Sequence, residues 1–80
     1  MSKKSKYVIV EVFGLEVPIV FSPLIEHVAI APNLKKVSAG FCNCEEYEKV
    51  FNVYGESQSL KLKSRPEDAD LLNDSLEIDI

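Results

Sequence analysis

Few residues in this 80-residue chain have types and spacing suited to chemistry. Lys61, Lys63 and Arg65 recur at every second position. On a strand that spacing puts Lys61 and Lys63 on one outward face, and three cations beside an aromatic such as Tyr54 suit a phosphate or a nucleobase. The plainer reading is a solvated strand face that uses lysine to discourage edge pairing. Cys42 and Cys44 also sit two apart. A zinc site wants four ligands, and the chain adds one histidine, His27, with no second cysteine pair. Strand geometry aims both thiols outward in parallel, which is poor for a disulfide. They read as two reduced thiols with no metal. His27, beside Glu26, has no nucleophile context and reads as a surface or packing residue.

The acidic residues gather as Glu45, Glu46 and Glu48, and again as Glu67, Asp68, Asp70, Asp74, Glu77 and Asp79. No pair of them comes with a supporting acid, metal or pocket signal. There is no phosphate loop, dinucleotide fingerprint or nucleophile elbow. No catalytic residue and no cofactor is implied.

The elements that must position these residues start with Tyr7 to Phe21, two strands joined at Gly14. Val8, Val10 and Val12 share one face with Leu15, Val17, Ile19 and Phe21. Tyr7, Ile9, Phe13 and Val20 share the other with Glu11 and Glu16. A hairpin apolar on both sides needs cover on both sides. Tyr7, Ile9 and Val20 are therefore candidate interface residues, covered by a second subunit or by the C-terminal helix. A type II′ turn starting at Gly14 would make Pro18 fail at a hydrogen-bonded site. Slipping the loop to Phe13-Gly14 pairs Ile9 with Pro18 and points the missing donor outward. That slip requires positive φ at Phe13, which is unfavourable. Either way Pro18 marks an edge strand or a bulge.

Ser22-Pro23 predicts the cap of a short helix over Leu24–Ile30, stopped by Ala31-Pro32-Asn33. Lys36–Asn43 alternates, with Val37, Ala39 and Phe41 against Ser38, Gly40 and Cys42. Glu45-Glu46 reads as a polar turn and Glu48–Tyr54 as a strand. A turn at Gly55-Glu56 leads into a last strand, Ser57–Lys63. That turn would set Phe51 opposite Leu60, with Asn52 and Tyr54 beside the lysines. Ser64-Arg65-Pro66-Glu67 matches a capping box, with Ser64 at N-cap and Glu67 at N3. Ala69, Leu72 and Leu76 make the helix's apolar stripe. The prediction is one α+β domain, residues 1–80, in ββαβββα order. It has an antiparallel sheet of about five strands and a C-terminal helix on one face. Residues 1–6 read as a flexible basic N-terminus.

Composition bounds the function further. At 46% hydrophobic and 28% charged the chain is an ordinary globular protein. A formal net charge of −4 disfavours binding of DNA or anionic membranes by the whole surface. No apolar run approaches the roughly 20 residues of a membrane span, and the opening residues lack a signal-peptide pattern. A cytoplasmic protein is expected.

Ser38-Ala39-Gly40-Phe41-Cys42, the run from Tyr54 to Ala69 and the opening Glu-Val-Phe-Gly-Leu-Glu-Val-Pro-Ile together carry a likeness. From Tyr7 on, the chain resembles small accessory proteins encoded by tailed bacteriophages and prophages. The resemblance implies a bacterial host cytoplasm and a non-catalytic protein that binds and blocks a host protein. It brings no site residues. The alternative is a nucleotide or nucleic-acid binder using Lys61, Lys63, Arg65 and Tyr54. An enzyme stands third.

Overall fold

The computed structural model describes residues 3–45 and 50–76. Glu46, Glu48, Glu77 and Asp79, residues 1–2 of the expected flexible N-terminus, and the side chains of Glu45 and Leu76 lie outside the described residues. Residues 3–6 of that N-terminal stretch are instead paired strand. Glu45 of the expected Glu45-Glu46 turn is the end of a strand.

The fold is α+β. β1 (Lys3–Val12), β2 (Leu15–Phe21), β3 (Lys35–Glu45) and β4 (Val50–Tyr54) form one antiparallel sheet in the order β2-β1-β3-β4. A second, two-stranded sheet pairs β5 (Glu56–Ser57) with β6 (Leu62–Lys63). The helix α1 (Pro66–Leu76) is the last element among the described residues. The expected single sheet of about five strands is thus two sheets, of four and two. The predicted last strand breaks because residues 58–61 turn instead of extending. Ser57 is buried and its Oγ accepts the Leu60 N–H at 3.2 Å, closing that turn. Phe51 therefore does not face Leu60; it pairs with Cys44.

The hairpin takes the slipped register. Val12 pairs with Leu15 and Ile9 with Pro18. Phe13 and Gly14 have φ of 51° and 81°, as a type I′ turn requires. Pro18 then sits where its missing N–H would have pointed away from β1, and β2 is an edge strand. Glu11 and Glu16 fall directly opposite each other, an unfavourable pairing. Each has its own cation: Lys35 Nζ lies 3.3 Å from Glu11, and Arg65 donates to Glu16 at 2.9 Å.

Both faces of the sheet are covered by the chain itself. On one, Tyr7, Ile9 and Cys42 pack with Leu72 of α1, flanked by Val37, Phe51, Val53 and Leu71. On the other, Val8, Val10 and Ala39 lie under Ile30, Ala31, Leu60 and Leu62. Val37 was expected to share a face with Ala39. A bulge between Ile9 and Val10 in the pairing with β3 makes Val37 the extra residue, which puts it on the Cys42 side.

The predicted helix over Leu24–Ile30 is a capped turn followed by one 3-10 turn, His27–Ala29. Ser22 Oγ accepts the Leu24 N–H at 3.1 Å, so the cap exists without a helix behind it. So short a segment has little helical stability of its own. Burial of His27 against the sheet sets its path instead. The far edge, β4, is closed by α1. Asn73 Oδ1 accepts the Phe51 N–H at 2.7 Å, and its Nδ2 donates weakly to Phe51 O at 3.4 Å. One side-chain amide thus does the work of a neighbouring strand.

Candidate functional site

The helix start builds the most tightly connected polar group. Asp68 is fully buried, and its carboxylate accepts three hydrogen bonds and is paired with a guanidinium. Oδ2 accepts the Tyr7 hydroxyl at 2.6 Å and the Arg65 N–H at 3.0 Å. Oδ1 accepts Arg65 Nε at 2.9 Å and forms an ion pair with a second guanidinium nitrogen 2.8 Å away. The helix begins at Pro66, so Arg65 is the N-cap and Asp68 stands at N3. The capping box expected at Ser64 and Glu67 is displaced by one residue. Ser64 is drawn away: its N–H and its hydroxyl both donate to Gly55 O, at 3.0 and 2.9 Å. The hydrogen bond to Glu16, then that to Asp68, holds the Arg65 guanidinium proton still more firmly than usual.

Burial first, then the bond to Asp68, raises the Tyr7 hydroxyl well above the ordinary tyrosine range. Burial likewise pushes the Cys42 thiol up to about 11. Both groups are neutral when protonated, so folding favours the protonated forms. Their stabilisation is complete below the unfolded pKa values, about 8.5 for cysteine and 10 for tyrosine. It is lost as pH rises through the raised folded values. The thermal midpoint is therefore expected to fall steadily above about pH 9. In Cys42→Ala the decline should begin about one pH unit later. A midpoint that stays flat to pH 11 in both proteins, read by circular dichroism, would contradict this.

The second polar region is a cavity of about 410 Å³. Lys6, Glu26, His27, Phe41, Glu56, Ser57, Gln58 and Ser59 line it. Lys6 pairs with both Phe21 and Phe41, and Phe41 with Tyr54, so these four side chains form one row across the sheet. The 3-10 turn lays His27 over that row. Its ring meets Phe21 and Phe41 edge-on, at 5.5 and 5.7 Å between centroids. Lys6 Nζ donates to Ile25 O at 2.9 Å and ties the same segment down. Phe41 stacks on Tyr54 at 5.8 Å, and Lys4 Nζ lies 4.6 Å from its ring centroid.

The sequence-derived candidates are dispersed. Arg65 is held by Glu16 and Asp68. Lys61 lies in the β5–β6 turn with φ 58°, and Lys63 pairs with Glu56. Tyr54 pairs with Phe41 rather than with the last strand. Tyr7 and Ile9 are fully buried under α1, so the chain supplies the cover that a second subunit was expected to supply; Val20 remains 36% exposed. Cys42 and Cys44 lie on the helix side of the sheet, and no disulfide joins them. Among the described residues no group of His, Cys, Asp and Glu is placed to hold a metal, and no helix is long and apolar enough to cross a membrane. The sequence left His27 between a surface and a packing residue, and the structure buries it. The cue lay in the flanking phenylalanines, which only the fold brings to it.

A third feature is apolar. Phe13 is 100% exposed at the hairpin tip, with Leu15 at 68% beside it and Val17 partly exposed beyond. Compared with known protein families, curated proteins and solved structures, the chain matches none of them.

Proposed function

We propose that this protein is a non-catalytic binding module that docks on a protein partner through the tip of its β1–β2 hairpin. The observation that carries the reading is Phe13. Its backbone is left-handed and its whole side chain is in solvent. A bulky residue at positive φ is a true outlier, and a type I′ turn favours Asn, Asp or Gly there. Both features work against the isolated fold. Strain of this kind is a reason to look for a function. An exposed aromatic flanked by Leu15 and Val17 is the sort of anchor that carries interface energy. The resemblance to phage accessory proteins supports a host protein in the bacterial cytoplasm as the partner class. The nucleotide reading stands second, because Arg65 is engaged and only Lys61 and Lys63 remain to it.

Phe13→Asn separates fold from function. Asparagine suits the turn, so the variant should relieve about 1 kcal/mol of strain and melt about 4–8 °C higher. It should also lose the proteins that the immobilised wild type retains from bacterial lysate. Retention of the same proteins by both, or of none by either, would overturn the reading.

A further inference from the structure

We propose that the cavity over Phe41 is a binding site for an organic cation, a guanidinium or ammonium group. It lies at the Lys6–Phe21 end of the sheet, away from the hairpin tip at Phe13-Gly14, and does not depend on the docking role given to that tip.

The argument starts from His27, which is 4% exposed and lines the cavity. Its Nε2 lies 2.8 Å from Gly40 O. A carbonyl only accepts, so Nε2 carries the hydrogen and the tautomer is set. In the neutral imidazole Nδ1 is then the accepting nitrogen, and it makes no hydrogen bond among the described residues. The edge-on contacts with Phe21 and Phe41 fix the ring that presents it.

Charge points the same way. Glu26 and Glu56 line the cavity, and neither has an ion-pair partner among the described residues. The one cation in the lining, Lys6, has a hydrogen of its ammonium committed to Ile25 O. The wall therefore offers two free carboxylates and an imidazole acceptor. The Phe41 ring attracts cations: Lys4 Nζ lies 4.6 Å from its centroid, and a bound cation would take that place. A cation beside aromatic faces and carboxylates is stabilised by both. Gln58 and Ser59 at the rim supply further oxygen acceptors. A group with several N–H donors and a positive charge meets all of these at once. An anion would meet two carboxylates against the one ammonium of Lys6, which keeps its charge while it donates to Ile25 O.

The test is an NMR titration of the full chain with three probes: methylguanidinium, N-acetyl-arginine amide and its neutral isostere N-acetyl-citrulline amide. The two cations should give saturable shifts at Glu26, His27, Phe41 and Glu56–Ser59, with dissociation constants near about 1 mM. Glu56→Gln and Glu26→Gln each remove one charge from an exposed residue and should fold. Each should weaken binding about fivefold, the usual scale of one exposed charge pair. Equal affinity for the two cations would identify a free organic cation as the ligand. Tenfold tighter binding of the arginine amide would identify an arginine side chain on a partner. Equal binding of the citrulline amide, shifts outside the cavity, or no shifts up to about 10 mM would overturn the proposal.

Discussion

Asp68→Ala is expected to leave the protein largely unfolded at room temperature. The substitution removes three hydrogen bonds and an ion pair at once. It strands the Tyr7 hydroxyl inside the core and leaves the Arg65 guanidinium with only carboxylates nearer the surface, Glu16 and Glu67. Breaking a buried ion pair by removing one partner costs about 3–5 kcal/mol. A domain of this size has a total stability of roughly 3–5 kcal/mol, so the loss consumes nearly all of it. Tyr7→Phe takes away one bond and leaves one lone pair of Asp68 unfilled, at a cost of about 1–3 kcal/mol. The double variant should be less unstable than the two losses added, because both act on one interaction. Urea unfolding followed by circular dichroism measures all three. An Asp68→Ala protein within about 1 kcal/mol of wild type would show that the group is not what holds α1 to the sheet.

Gly40→Ala has the second largest expected effect. A Cβ at Gly40 would lie 2.8 Å from Tyr54 O, 3.1 Å from Ser64 Cβ and 3.3 Å from Gly55 O. Two of these atoms are backbone, which cannot swing aside as a side-chain end would. Gly55 O also receives both hydrogen bonds of Ser64, and Gly40 O holds His27. Pushing the strands apart disturbs the approach to α1 and the cover over the other face together. Overpacking of this kind costs about 1–3 kcal/mol, and the rigidity of the neighbours puts Gly40 at the upper end. The thermal midpoint should drop by roughly 10–20 °C. Gly14→Ala is the control. It has open space around it and only its φ of 81° to oppose a side chain, so its loss should be near 1 kcal/mol. Equal losses at the two positions would mean that crowding at Gly40 is not what excludes a side chain.

Much of the frame was legible along the chain because it depends on local periodicity. Alternating β-branched residues gave both hairpin faces, and Pro18 marked an edge. Proline and the acids at the start of α1 placed the helix to within a residue or two. Three local readings failed where a distant contact outweighed propensity. Ser64 was drawn to Gly55 rather than capping the helix. The segment after Pro23 yielded its helix to the burial of His27. The last strand broke at the turn that Ser57 closes.

The polar groups were the least legible. The sequence by itself determined an acidic α+β domain, a hairpin with two apolar faces and a helix to cover one of them, because burial of periodic side chains requires partners in any fold. Only the tertiary structure decided that Tyr7 meets Asp68 across 61 positions of sequence. It also decided that Arg65 is taken from the basic face by Glu16, that His27 lies between two phenylalanines, and that Gly40 has no room for a methyl group. Hydrogen bonds and excluded volume act over about 3 Å. Which residues come within that range is set by strand order and by the path of the loops, and no period in the sequence encodes either.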